Sequence, residues 1–147
     1  MLYVIALIIH VLAVVIWIGG VAFVTMIMFP IIQRTDNSLE QVMMFQGIEH
    51  RFSRIAKVLV ILTGITGFYL LYEKGFSLSA GIMIFVWALY ASLLFFLEKI
   101  LFKRLFESPT GKLLNTKQIF LRLQVFHWII LVLSFSTIAA GIWVGHY

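Results

Sequence analysis

The chain has 147 residues, 63% of them hydrophobic and 12% charged, with a mean hydropathy of +1.08. Soluble domains carry about 45–50% apolar residues, so this composition excludes a soluble globular domain and points to an integral membrane protein. Cysteine is absent, which removes disulfides, thiolate ligands and thiol nucleophiles; the net charge of +5 suits attraction to anionic membrane lipids, and no feature supports nucleic-acid binding.

A helix that crosses about 30 Å of hydrocarbon needs roughly 20 apolar residues. Four segments qualify, at about 2–32, 50–72, 79–102 and 119–145. The expected fold is therefore all-α, a single four-helix transmembrane domain over 1–147. The first span has neither a basic leader nor a small-residue cleavage site, so it reads as a retained helix. It carries His10, and at 100° per residue Val14, Trp17, Val21, Val24 and Met28 share its face. In the link 33–49, Ser38 with Gln41 forms a capping box that starts a helix near Leu39. On the second span His50, Arg54, Lys57, Ile61, Gly64 and Phe68 share a stripe, so this helix is polar at one end. The link 73–78 leads to the third span, and Pro109 with Gly111 marks a turn in the link 103–118. On the fourth span His127, Leu131, Ser134, Ile138, Gly141 and Gly145 share a face. Such small residues let helices approach closely in lipid, within the bundle or across a homodimer.

Basic residues set the orientation. Arg34, Arg51, Arg54 and Lys57 flank the first link, and Lys99, Lys103, Arg104, Lys112, Lys117 and Arg122 flank the third; only Lys74 lies on the other side. By the positive-inside rule both termini face outward. Tyr3, Tyr72, Trp143 and Tyr147 fall near span ends, where amphipathic rings favour the interface.

Ionisable residues inside a span are functional candidates by default. For His10 and His127 two readings stand side by side: metal ligation, or packing with a hydrogen bond to a neighbouring carbonyl or hydroxyl. His50, beside Arg51, is either a ligand or a solvated interface residue. The methionine pairs Met26/Met28 and Met43/Met44 form no same-face thioether site of the kind Cu(I) favours.

Three short patterns resemble known membrane families: "H-x6-W-x-G-G" at His10, Trp17, Gly19 and Gly20, "RFSRIA" at 51–56, and "LTGITG" at 62–67. Together they resemble the membrane domain of CopD-type copper-resistance proteins. The first-span pattern, the Glu49-x-Arg51 element and the four-span length also resemble the HemJ type of protoporphyrinogen oxidase. That resemblance implies a multi-pass protein of a bacterial or archaeal cytoplasmic membrane that handles haem or copper. The lysine that HemJ-like proteins carry in the third span is missing from "AGIMIFVWALYASLLFF". The acidic residue usual in the last CopD-like span is replaced by Gln124 and His127.

Haem b in a helical bundle needs neutral imidazoles, an aromatic pocket and cations for its propionates. His10, His127 and His50 are the candidate ligands, with Trp17 for the pocket and Arg51, Arg54 and Lys57 for the propionates. At 1.5 Å per residue His10 lies about 10 Å in from the outer anchors and His127 about 24 Å, too far apart for one iron. His50 and His127 come within about 6–8 Å in depth, a gap that helix tilt could close, and which histidines pair stays open. If those two pair, His10 binds a separate haem or copper ion, or shares one with a second subunit across a twofold axis. The expected function is haem b binding with electron transfer, to quinone or a partner oxidoreductase. The alternatives are copper transport and a structural subunit without cofactor.

Overall fold

Hydrocarbon offers the backbone no hydrogen-bond partners, so a chain this apolar must satisfy its own N–H and C=O groups within each span, and helices do so. The computed structural model describes residues 1–97, 99 and 116–146, with side chains except at 97, 116, 117, 119 and 144–146. Among the described residues the chain is helical and contains no strand. Four helices are long and apolar enough to cross a membrane. We number them α1 (Leu2–Gln33), α2 (Ser38–Lys74), α3 (Leu78–Ser92, running into a turn at Leu93–Leu97) and α4 (Thr116–His146). The expected turn at Pro109 and Gly111 lies outside the described residues.

α1 is one helix with a widened π turn at Val24–Met28, where the Phe29 N–H reaches back five residues to the Val24 carbonyl. Pro30 explains its place. A proline lacks the N–H that the carbonyl four residues back would accept, and its ring crowds that carbonyl; the π turn absorbs both by taking in one extra residue. The consequence is a shift of the buried face. Trp17, Val21 and Val24 are buried as the His10 stripe predicts, but from within the turn onward the stripe passes to Thr25, Phe29 and Ile32, at 0%, 0% and 2% exposure. Met28, expected on that stripe, is only half-buried.

Arg34 and Thr35 close α1 with tight bonds to the Ile31 and Ile32 carbonyls, both 3.2 Å. The cap of α2 falls one residue before the expected Ser38: the Asn37 side chain accepts from the Leu39 N–H at 3.0 Å. Gln41 turns back to the Thr35 carbonyl instead of closing a box with Ser38. α2 has 37 residues and is about 55 Å long; it starts beside the expected Leu39, runs on through the apolar span 50–72, and is longer than the roughly 30 Å of a hydrocarbon core. It ends at Gly75, whose φ of +83° lies where side-chain-bearing residues are strained. Ser77 then caps α3 by accepting from the Ala80 N–H at 3.2 Å.

The short links make α1–α2 and α2–α3 antiparallel, and α4 runs beside α1 in the opposite sense, with Gln33 Nε2 donating to Gln124 Oε1 at 2.8 Å. Two buried clusters hold the bundle. One, at mid-height, gathers Trp17, Val21, Ala56, Val60, Tyr90 and Leu131. The other gathers Val24, Phe29, Ile32, Phe45 and Phe120 at the basic end. On α4 Ser134 is 4% exposed, and a Cβ on Gly141 would lie 2.3 Å from Met83 Cε. The small-residue face is therefore consumed inside the bundle against α3. The surroundings of Gly145, the other half of that pair, lie outside the described set.

Candidate functional site

The "LTGITG" stretch is a double seat on α2. Each glycine leaves a notch for a ring from a different helix. A Cβ on Gly64 would lie 2.6 Å from the Trp87 indole, and one on Gly67 would lie 3.0 Å from His10 Cε1. Trp87 Nε1 also donates to the Val60 carbonyl at 2.9 Å, and Phe68 packs edge-on against its indole at 5.6 Å. α3 and α1 are thus indexed to consecutive notches one turn apart.

In its notch His10 meets two acceptors. Its Nδ1 lies 3.0 Å from Thr66 Oγ1 and 3.2 Å from the Thr63 carbonyl oxygen. The Thr66 hydroxyl has two backbone carbonyls as acceptors for its proton, Leu62 at 2.7 Å and Thr63 at 3.3 Å, so toward His10 it accepts. A carbonyl only accepts as well. The Nδ1 of a neutral His10 must therefore carry the ring proton, and Nε2 is the lone-pair nitrogen. Nε2 meets no polar partner among the described residues, and the residue is half-buried. Metal-binding histidines have this arrangement: one nitrogen is held by a carbonyl or hydroxyl and the other offered outward.

His127 repeats the logic on one helix. Its Nδ1 donates to the Leu123 carbonyl at 2.8 Å, leaving Nε2 as the lone-pair nitrogen. The ring packs edge-on against Phe29 at 5.1 Å and near Phe126 at 6.1 Å. Phe29 lies nineteen residues beyond His10 on α1, about 28 Å along the axis. The two imidazoles are further apart in depth than the sequence suggests, and no single iron joins them.

His50 and His127 come closer in depth but not in direction. Phe45 and Phe120 meet at 5.4 Å; His50 is five residues beyond the first and His127 seven beyond the second, a difference of about 3 Å. Phe45 faces the bundle interior, however, and His50 is turned about 140° from it and exposed. The structure does not bring this pair together. Arg51 and Arg54 are exposed on the same outer side, and the Lys57 ammonium sits 6.0 Å from the Phe95 ring centre, toward α3. The three cations expected around propionates therefore turn to the outside of the bundle and to α3, away from the half-buried imidazoles of His10 and His127.

No family model, curated protein or solved structure matches the chain. The site is described by its own geometry alone.

Trp17 is buried at mid-height, edge-on to the Tyr90 ring at 4.6 Å and 70°. It lies seven residues from His10, about 10 Å in depth, so it packs the core between the two imidazole levels and walls neither. Its Nε1 and Thr63 Oγ1 are the two buried side-chain polar atoms without a partner among the described residues. Sequence reading missed Thr63, Thr66 and Gly67, although their motif was in view. Their role depends on which ring of α1 reaches the notch, and a single-helix pattern does not carry that. Among the described residues no three His, Cys, Asp or Glu side chains gather as a metal cage.

Proposed function

We propose that this chain is a haem b-binding, four-span protein of the CopD/HemJ-like type in a bacterial or archaeal cytoplasmic membrane, with both termini outward, serving electron transfer. The observation that carries this reading is the seat of His10: its Nδ1 lies against the Thr63 carbonyl and the Thr66 hydroxyl, an arrangement that in a neutral ring puts the proton on Nδ1 and leaves the Nε2 lone pair for a ligand. An isolated imidazole with no further ligands at hand is a poor site for a bare copper ion, which needs several donors. It fits a macrocycle that brings its own equatorial nitrogens and asks the protein for an axial one. The donor chemistry at His10 and at His127 meets that requirement.

Bound haem b supplies a one-electron iron couple, and the rest falls to this chain's residues. His10 holds one site at the terminal half of the bundle and His127 a second toward the basic end. Phe29 and Phe126 flank the second imidazole, and the core cluster around Trp17 and Tyr90 keeps water from the space between. Two sites at separate depths suit the passage of electrons between the faces of a membrane, with quinone or a partner oxidoreductase as the exchange partner. Arg51 and Arg54 face anionic lipid head groups in this reading.

The test is the visible spectrum and haem content of the detergent-purified protein. The wild type is expected to show a Soret band that shifts on reduction. His10→Ala and His127→Ala should each remove part of the haem, independently, and His50→Ala none. A wild-type protein that stays colourless after haemin addition overturns the proposal.

A further inference from the structure

The seat beneath His10 has more structure than packing requires. Thr25, Ser134 and Thr137 are buried hydroxyls that each bond only the carbonyl one turn back, at 2.7, 2.8 and 2.8 Å. Thr66 makes that same bond at 2.7 Å and then accepts from another helix. Its proton goes to a backbone carbonyl, Leu62 or Thr63, which leaves a lone pair for His10. One turn of α2 thus supplies a carbonyl and an accepting hydroxyl to a single N–H. The adjacent residue, Gly67, has no Cβ to push the ring away.

We infer that Thr66 and Gly67 are positioning residues: beside the Thr63 carbonyl, which keeps the proton on Nδ1, they hold the His10 ring in its notch and aim its Nε2 at a Lewis-acidic metal centre. The inference rests on the haem reading for the identity of that centre, but the hold itself is a property of the protein alone. Without the Thr66 hydroxyl, the Thr63 carbonyl at 3.2 Å is the remaining acceptor. That carbonyl keeps the proton on Nδ1, but a single acceptor in place of two holds the ring less firmly in its notch, and Nε2 loses its fixed direction. Partners of this kind typically change metal affinity by about 10–100-fold.

The experiment uses full-length protein labelled with ¹⁵N-histidine in detergent micelles, with the His10 signals identified by their loss in His10→Ala. In the wild type without haem, the protonated nitrogen of His10 is expected to be Nδ1. Thr66→Val, nearly isosteric, should leave the proton on Nδ1 but shift the His10 ring-nitrogen signals by removing one of the two acceptors, and weaken haemin binding by about tenfold or more. Thr66→Ser, which keeps the acceptor, should restore both. Gly67→Ala, whose new Cβ would meet His10 Cε1, should disturb the same signals by displacing the ring. Unchanged His10 shifts in Thr66→Val overturn the inference. If the wild type takes up no haemin while Thr66→Val still moves the His10 signals, the positioning role stands and the haem reading falls.

Discussion

At the residue scale, the two threonines of the α2 seat make opposite demands on the fold. The Thr66 hydroxyl meets His10 and the Leu62 and Thr63 carbonyls, whereas Thr63 Oγ1 is buried without a partner among the described residues. Removing one partner of a hydrogen bond costs stability, whereas exchanging an orphaned polar atom for a methyl of the same shape removes a desolvation penalty. Thr63→Val is therefore expected to raise the melting temperature in detergent, by the equivalent of about 1 kcal/mol. Thr66→Val should lower it by about 0.6 kcal/mol, the average for interhelical side-chain bonds in membranes. Thermal melts of the two variants side by side check the pair; a fall for Thr63→Val would mean that its hydroxyl has a partner such as a buried water. Gly64 gives a third prediction. A methyl there would lie 2.6 Å from the rigid Trp87 indole, and such overpacking costs about 1–3 kcal/mol. Gly64→Ala should melt lower, and pairing it with Trp87→Phe should recover part of the loss.

At the element scale, the π turn of α1 decides which residues reach the core. It holds one residue more than an α-helical turn, so the faces of His10 and Phe29 are set by the turn together with Pro30. Deleting one residue within 24–28 while replacing Pro30 by Ala should give a continuous α-helix that keeps both faces. The same deletion at 12–16 should turn His10 out of its notch. Folding yield and melting temperature of the two deletions separate these outcomes, and equal damage from both would contradict the phase argument. Apolar run length made the existence of all four helices legible in the sequence, because a lipid solvent leaves the backbone no other option. The phase of α1 beyond Val24 was not legible: Pro30 warns of a local change but does not say whether the helix kinks, ends or widens. The α2 cap was off by one residue because Asn37 and Ser38 are both good caps. The pairing of His50 with His127 rested on depth alone, and depth turned out to agree while the facing direction did not. Facing direction depends on which side of α2 meets α4, and that is fixed by Phe45 and Phe120.

At the scale of the whole molecule, the asymmetry of basic charge predicts the orientation of the bundle. A periplasmic-active reporter fused after Tyr147 is expected to be active, and a cytoplasm-only reporter at the same point silent; the reverse result would invert the bundle and exchange the faces that His10 and His127 serve. The depth of the two imidazoles has a further consequence. Both belong to a frame in which α1 is continuous, α2 clasps it along its length, and Gln33 with Gln124 ties α4 to its basic end. Helical bundles meet a thinner bilayer largely by tilting and a thicker one by thinning the lipid around them, and neither response separates the two imidazoles. The molecule therefore acts as a ruler: membranes of different thickness change how deep each imidazole sits below its own surface, while the spacing between them stays as the chain built it.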